Sequence, residues 1–441
     1  MYLIKPSQLA RSALLAAALL LPGTCIQADS PGVAWDERVE IDSGRAFQGP
    51  WRMNESQFLY VDDPTVAFNS GGDIGIAWVD NAQRDVLLQV LEADGATRFP
   101  EPVNVSRTPE VFSWLPRLAF GEGDEVFVLW QEIVFAGGSH GGEIFFARST
   151  DGGASFSAPV NLSDTTGGAG KGRLSQRSWH NGSLDLARRD DGRLYAAWTE
   201  FYGALHLAWS DDGGSSFTEP VHVAGDFEVP ARGPSLALGD DNQVWLAWTV
   251  GEDAEADIRV ARSADGGRSF GPAVIVESGR AHADAPKLAM DERGALHLVF
   301  GERLTDRRGT QRIRHTRSTD GGASFEPART ISNGDSHAHF PALAFGADGR
   351  VLVTWRHFPD PRSRPLGTGF VLSTDGGERF SEPAMIPGSN DPELGFNGSL
   401  QGLLMAPLAM DESGRVAVVN STFLPGERSA IWLQTGQFGP R

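Results

Sequence analysis

"RSTDGGASF" spans residues 148–156, and an identical copy stands at residues 317–325. The underlying pattern, S-x-D-G-G-x-x-F, occurs in five good copies and in one decayed copy, "LEADGATRF" (91–99). The aspartates of the six copies are Asp94, Asp151, Asp212, Asp265, Asp320 and Asp375. They are 53 to 61 residues apart, a period that accommodates four short strands and their turns and is typical of a propeller blade.

Each copy is followed by two alternating apolar runs that flank a Gly/Asp turn, for example "PRLAFGEGDEVFVLW" (116–130) and "PALAFGADGRVLVTW" (341–355). This pattern indicates an antiparallel hairpin. A third run, such as "EIFFARS", then leads into the next copy. Each unit therefore contains four strands, and the repeated turn lies between the third and the fourth.

The two ends of the chain complete the count. "APLAMDESGRVAVVN" (406–420) matches the hairpin of a seventh unit, which has no fourth strand of its own, and "AWDERVEID" (34–42) reads as a fourth strand without a blade. We therefore predict an all-β fold, a seven-bladed β-propeller of four-stranded antiparallel blades whose last blade is closed by the N-terminal strand. A six-bladed ring with the C-terminal hairpin as an appendage is the alternative.

The first 28 residues contain Lys5 and Arg11, then "ALLAAALLLPG", then "CIQA" before Asp29. This order is typical of a secretory signal. It predicts a signal peptide at 1–28, a single propeller domain at 29–441, and an exported protein, periplasmic or secreted. Lipid anchoring through Cys25 is a minor alternative. Cys25 is the only cysteine of the 441 residues, so the exported chain would contain no disulfide.

The chain has a formal net charge of −19. An acidic surface disfavours nucleic acid and anionic membranes as partners, and the apolar run of the signal is too short to remain as a membrane span. We expect a glycan or a protein as the partner, and no cofactor.

The repeated turn, S-x-D-x-G-x-x-[FW], resembles the Asp-box, or BNR repeat, of the sialidase superfamily, and the resemblance covers nearly all of the chain after the signal. An aspartate in such a turn can accept backbone N–H bonds, the glycines supply positive φ, and the aromatic residue packs between sheets. Catalysis needs one convergent site, whereas these copies recur around a ring. The six aspartates are therefore expected to be structural.

A functional site is expected at the opposite face, the mouth, where loops on a rigid scaffold gather binding groups. The candidate ligand-binding residues there are Trp114, Trp179, His180, Arg232, His282, Glu302, Arg303, His337, His339 and Arg356. Speculative catalytic residues are Glu132, Glu200 and Tyr202. Trp114 and Trp179 are expected either to stack on sugar rings or to pack in the interior.

Two further sets of residues bear on the interior. Trp78, Trp130, Trp198, Trp248 and Trp355 recur in register and are expected in the core between blades. "SLDLA" (183–187) aligns Asp185 with alanines of the other inner strands, such as Ala67 and Ala119. A carboxylate at that position is expected to be buried and to need a partner.

The sialidase resemblance implies an arginine triad, a tyrosine nucleophile paired with a glutamate, and an aspartic acid/base. The first hairpin, "VDDPTVAF" (61–68), has no arginine, and no tyrosine follows Tyr202. Enzyme activity is therefore left open. The first hypothesis is an exported sialidase-like propeller that binds glycans at the mouth and, if it is an enzyme, hydrolyses glycosides. A non-enzymatic envelope scaffold and a metal site at His282, His337 and His339 are the alternatives.

Overall fold

The computed structural model describes residues 32–136, 139–252, 256–277, 281–305, 309–333, 337–401 and 404–439. The predicted signal peptide at 1–28 and the possible anchor Cys25 lie outside these ranges. Within them there is no α-helix, only a 3-10 turn at Pro392–Leu394, and no helix that is long and apolar enough to cross a membrane.

Seven antiparallel sheets surround a common axis, and their innermost strands contact one another in succession, from blade 7 back to blade 1. From the axis outward, the strands of blades 1 to 3 are Val61–Phe68, Ile74–Asp80, Asp85–Leu91 and Val103–Asn104; Ser113–Phe120, Val126–Glu132, Glu143–Ser149 and Val160–Asn161; and Leu184–Arg188, Leu194–Thr199, Leu205–Ser210 and Val221–Ala224. The strands of blades 4 to 6 are Ala231–Leu238, Val244–Val250, Asp257–Ser263 and Val274–Glu277; Ala281–Met290, Leu296–Leu304, Gln311–Ser318 and Arg329–Thr330; and His337–Gly346, Arg350–Phe358, Thr368–Ser373 and Ala384–Met385. The predicted seven-bladed propeller is confirmed, and the six-bladed alternative is wrong.

Blade 7 is built from both ends of the chain. Its inner strands are Leu408–Met410, Arg415–Leu424 and Arg428–Phe438, and Phe396–Asn397 pairs with the far end of the second strand. The N-terminal strands Val33–Trp35 and Val39–Gly44 both pair with Arg428–Phe438, as the alignment of the N-terminal segment predicts. The ring therefore has no open edge between its first and last blades.

Two short hairpins stand outside the blades. One pairs Phe47–Gln48 with Phe58–Leu59. The other pairs Lys171–Ser175 with Ser178–Asn181 and precedes blade 3; it is called the mouth hairpin below.

Apolar packing holds the ring together at every blade interface. Seven buried clusters occur among the described residues, and each one joins two neighbouring blades. The recurring tryptophans belong to these clusters and are almost fully buried: Trp78, Trp130, Trp198, Trp248 and Trp355. They lie in the core, as expected.

The repeated turn is held by its own serine and aspartate. In the first good copy, Ser149 Oγ donates to Asp151 Oδ1 (2.7 Å) and accepts from Gly153 N (2.9 Å). Asp151 Oδ1 also accepts from Ser155 N (2.9 Å). The same bonds recur around Asp212, Asp265, Asp320 and Asp375, whereas Asp94 of the decayed copy accepts from Ala96 N alone among these turn amides (2.9 Å).

Removing the buried hydroxyl of one turn should destabilise the fold. Ser149→Ala leaves the buried N–H of Gly153 without its acceptor, so we expect a loss of about 1–3 kcal/mol in the free energy of unfolding, measured by urea denaturation. Ser155→Ala in the same turn is the matched control. It removes an exposed bond and should change the stability by less than about 0.5 kcal/mol. Equal effects of the two substitutions would contradict this assignment.

A buried pair of histidines lies in blade 5, against blade 6. His297 Nδ1 and His315 Nε2 are 3.1 Å apart, and His297 Nε2 is 3.3 Å from Asp291 Oδ2. Burial lowers the pKa of both imidazoles, although Asp291 opposes the shift at His297. The other charged groups that face the pair are Arg317, Glu326 and Arg329.

This pair predicts a loss of stability in mild acid. The folded pair binds fewer protons than the unfolded chain, so the free energy of unfolding is fully present above about pH 6.5 and falls below it, by up to about 1.4 kcal/mol per pH unit for each histidine. Urea midpoints between pH 5 and 7.5 should show this slope for the native chain and a flatter one for His315→Gln. Exposed His222→Gln should keep the native slope; the prediction fails if His315→Gln keeps it as well.

Candidate functional site

A proline bulge shapes the inner strands where they enter the mouth. The residue before the proline has positive φ in four blades although it is not glycine: Asp63, Leu115, Ala285 and Phe340, each at 54° to 56°. Blade 4 uses Gly233 at the same place, and the strand register shifts there. Such strained backbone needs support from its surroundings and is concentrated at functional sites. The residues that directly precede these five positive-φ residues are Asp62, Trp114, Arg232, Asp284 and His339.

The mouth gathers three histidines, an arginine and an aspartate, which we call the histidine cluster: His180, Arg232, His282, Asp284 and His339. They come from the mouth hairpin and from blades 4, 5 and 6. Arg232 Nη2 is 3.1 Å from Asp284 Oδ2, and Thr249 Oγ1 donates to Asp284 Oδ1 (2.8 Å). Four of the five were predicted ligand-binding residues, and the structure brings these four together.

The electrostatics of the histidine cluster centre on Asp284, which is 6% exposed. Burial raises the pKa of Asp284, but Arg232, His282, His339 and His180 together outweigh it and hold the pKa well below its ordinary value. Asp284 is therefore ionised throughout the physiological pH range, among three imidazoles. Imidazole is the side chain that most often transfers protons in enzymes.

Two glycines let the imidazoles approach the backbone closely. A Cβ on Gly172 would lie 2.0 Å from His180 Cε1, and a Cβ on Gly301 would lie 2.5 Å from His339 Nε2. Any larger residue would displace these rings. The positions of His180 and His339 are therefore fixed by close packing on the mouth hairpin and on blade 5.

An aromatic patch adjoins the histidine cluster and consists of His140, Trp179, Phe201, Tyr202 and Phe227. His140 stacks on Phe201 (ring centroids 3.6 Å apart), and Trp179 contacts both edge-on. Tyr202 and Phe227 are 44% and 50% exposed. The patch therefore presents open ring surface beside the mouth hairpin, the kind of surface on which sugar rings stack.

Lys171 lies beneath this patch. Its Nζ donates to Asn181 Oδ1 (2.6 Å) and lies 5.6 Å from the centre of the Trp179 ring. Burial lowers the pKa of Lys171 to about 7. Lys171 therefore changes charge near neutral pH, in direct contact with the mouth hairpin.

The other half of the mouth, at blades 7, 1 and 2, contains a pair of buried carboxyl groups. Asp62 accepts from Leu400 N and Ser421 Oγ, both at 2.7 Å, and Asp63 accepts from Leu115 N (3.2 Å). Burial raises the pKa of Asp62 to about 6 and raises that of Asp63 well above its ordinary range. These bonds join blade 1 to blades 2 and 7, so the pair serves the scaffold.

Asp185, which the alignment misplaced, lies in the axial channel and is half-buried, not buried as expected. Asp185 pairs with Ala197, while Ala187 pairs with Tyr195 and occupies the alanine position of the other blades. The predicted alignment was therefore wrong by two residues. Asp185 instead lies level with Arg117 and Lys287, whose positive charges it stabilises, and it accepts from Leu236 N (2.8 Å). The expectation that Asp185 needs a partner is confirmed.

The predicted carboxylates are bound by groups outside the histidine cluster, although Glu302 lies on blade 5 opposite Ala283, between His282 and Asp284. Glu132 accepts from Trp130 Nε1 (3.0 Å) and Thr108 Oγ1 (2.9 Å). Glu200 is 3.1 Å from His206 Nε2, and Glu302 accepts from Arg312 Nε. Their roles in catalysis or binding stay predictions.

The remaining predicted residues differ in exposure. Trp114 is buried against Phe112 and donates to Asn81 Oδ1 (2.8 Å). Arg356 is buried and donates to Asn420 Oδ1 of blade 7. His337 is half-buried, with Nδ1 accepting from Gln311 N (3.4 Å), and Arg303 is exposed. Of these four, Arg303 and His337 offer accessible polar groups at the mouth.

Two observations concern other kinds of site. No group of three His, Cys, Asp or Glu in the described ranges is arranged to hold a metal ion.

Depressions of about 730 Å³ and about 970 Å³ lie at the end that carries the repeated turns, lined by hairpin turns rich in carboxylates such as Asp240, Asp291 and Glu412. A cluster of carboxylates at surface turns suits solvent as well as it suits a ligand, and we assign it no role.

Comparisons with known proteins agree on the propeller and no more. No protein-family model matches the sequence, and no curated protein matches it. Among solved structures, a protein of unknown function from Dyadobacter fermentans aligns with a TM-score of 0.53 and 16% identity over 78% of this chain and 99% of its own. An ulvan lyase, described as a new family of polysaccharide lyase, aligns at 0.57 and 11% over 90% and 95%. The polysaccharide lyase Uly1 aligns at 0.55 and 10% over 92% and 100%.

Sequence reasoning missed Arg173 and Lys171 because the mouth hairpin lies outside the repeat. It did not place Asp284 among the ligand-binding residues. A signal for Asp284 was present: the tripeptides "DDP", "WLP", "RGP", "DAP" and "HFP" end in the bulge proline of five inner strands. The first residue of each tripeptide stands at the mouth.

Breaking the central ion pair should be more costly than removing one of its neutral hydrogen bonds. Asp284→Asn removes the carboxylate charge that is paired with the fully buried Arg232, so we expect a loss of about 3–5 kcal/mol in the free energy of unfolding. Thr249→Val removes one hydrogen bond from the same carboxylate and should cost about 1 kcal/mol. Urea denaturation compares the two, and an equal cost would show that Asp284 is not the charge that Arg232 requires.

Proposed function

We propose that the protein binds an acidic polysaccharide at the mouth and cleaves it beside a uronate residue by β-elimination. The observation that carries the proposal is the histidine cluster, in which three imidazoles and a buried guanidinium converge from several blades. The sequence hypothesis of a glycan ligand at this face is thereby kept, with an acidic sugar specified. Trp179 and Tyr202 would stack on sugar rings.

The chemistry needs only groups that the cluster supplies. A protonated imidazole, with the buried Arg232 guanidinium behind it, would neutralise the uronate carboxylate and acidify the C5 proton. One imidazole takes that proton, the C5–H electrons form the C4=C5 double bond, and the C4–O bond breaks. A second, protonated imidazole gives its proton to the leaving oxygen. No co-reactant is required.

Elimination is favoured over hydrolysis for a structural reason. Hydrolysis generally needs two carboxyl groups about 5 Å or about 6.5–9.5 Å apart across the scissile bond. Glu132 is instead held by two hydrogen bonds on blade 2 and Glu200 by an ion contact with His206 on blade 3, and neither belongs to the histidine cluster. Two of the structural neighbours are described as polysaccharide lyases; that likeness concerns the fold, and the cluster carries the argument.

The test uses ulvan, alginate and polygalacturonate, with neutral arabinan as a control. Elimination produces the ultraviolet absorbance of an unsaturated uronate together with new reducing ends, whereas hydrolysis produces reducing ends alone. We expect elimination of at least one acidic polymer and a loss of about 100-fold or more in kcat/KM for His282→Ala and His339→Ala. His222→Ala, an exposed histidine on the outer strand of blade 3, should retain native activity.

Other outcomes assign other functions. Reducing ends without absorbance, lost in Glu200→Gln, would support the sialidase-like hydrolysis predicted from the sequence. Binding without cleavage would leave a glycan-binding propeller. No affinity for any of the four polymers would favour the interaction scaffold and contradict the proposal.

A further inference from the structure

Arg173, on the mouth hairpin, is a buried cation that its neighbours satisfy only in part. Its side chain is 2% exposed. Nη2 donates to Phe227 O (2.5 Å), and Nε lies 3.3 Å from Glu252 Oε1 without the alignment of a hydrogen bond. Nη1 is buried and has no hydrogen-bond acceptor in the described part of the chain. A buried guanidinium with an unused N–H group is costly for the empty protein.

The groups that cover Arg173 are themselves exposed. The Phe227 ring lies 4.8 Å from the guanidinium carbon and is 50% exposed, and the Glu252 side chain is 39% exposed. They belong to the loops that enter blade 4 and that leave its second strand. A ligand could therefore reach Arg173 by displacing two surface side chains, without opening the core.

Arg173 is joined to the histidine cluster and to the aromatic patch. Arg232 Nη1 donates to the backbone oxygen of Arg173 (3.3 Å), and Arg173 pairs across the mouth hairpin with Trp179. Two residues with buried guanidinium groups are thus linked at the mouth, and aromatic rings lie beside Arg173. This arrangement matches a polymer whose neighbouring sugars carry acid groups.

We propose that Arg173 binds the acid group of a second sugar, next to the one at the histidine cluster, and that the Glu252 carboxylate occupies this place in the empty protein. The inference rests on the proposed function, which supplies the acidic chain. A guanidinium presents a planar fork of N–H donors that matches a carboxylate or a sulfate. Glu252 engages this fork through a single ion contact, so an incoming acid group that also takes Nη1 would bind better.

The experiment measures affinity by calorimetry, with oligosaccharides of whichever acidic polymer the native protein binds and with their carboxyl-reduced and desulfated forms. Glu252→Gln removes the internal competitor and should raise affinity for the acidic form about threefold or more. Glu228→Gln, the same change at an exposed position on the adjoining loop, should leave it unchanged. Arg173→Met should lower affinity for the acidic form about tenfold or more and have little effect on the neutral form.

Arg173→Lys is the control for a folding defect, because lysine keeps the positive charge but lacks the planar fork of N–H donors. It should fold with a melting temperature near that of the native chain and still bind the acidic form more weakly. If neither Arg173 variant weakens binding of the acidic form, or if Glu252→Gln weakens it, the inference is wrong. The proposed function is unaffected by either result. Failure of the native protein to bind any acidic polymer contradicts the proposed function, and the inference falls with it.

Discussion

The pairing of the N-terminal strand Val39–Gly44 with the last long strand, Arg428–Phe438, closes the ring. This antiparallel contact joins residues from opposite ends of the sequence, and without it blade 7 would end in an open edge. Closure also fixes the radius at which the seven inner strands stand. His180, Arg232, Asp284 and His339 are far apart in sequence, so only a closed ring of fixed radius brings them to one place.

A second constraint acts within five of the seven blades. The proline of the inner strand cannot donate a hydrogen bond, and the residue before it takes positive φ, so the strand bulges at the mouth. The same backbone form presents Arg232 in blade 4, Asp284 in blade 5 and His339 in blade 6. The scaffold is thus repeated while the side chain varies. A repeat protein can build an asymmetric site in this way without altering its core.

Features of this structure that depend on local contacts are predictable from the sequence, whereas features that depend on contacts between distant segments are not. The turn around Asp151 is local, so its hydrogen bonds, its spacing and the resulting blade count are readable from the chain. Whether Trp114 is buried or free to stack on sugars was left open, because its burial depends on the hairpin of Phe47–Gln48 and Phe58–Leu59. Trp51, beside that hairpin, packs against the Trp114 ring.

Register and partners across the axis were harder to predict. Asp185 was displaced by two residues because the alignment followed apolar letters, whereas the register follows the hairpin turn. Arg173 carries no repeat signal at all. Its burial is a property of the loops that cover it, and these loops have no counterpart in the other blades from which it could have been inferred.

The net charge of −19 opposes an acidic ligand at long range, but the charges are unevenly distributed. Carboxylates such as Asp191, Asp240 and Asp291 line the turns at the end opposite the mouth, and salt screens exposed charges beyond about 8–10 Å. Arg173 and Arg232 are buried at the mouth, where the lower dielectric strengthens short-range contacts. The proposed acidic chain would therefore be disfavoured over most of the surface and would bind only where the ring buries its cations, so the acidic exterior would restrict it to the mouth.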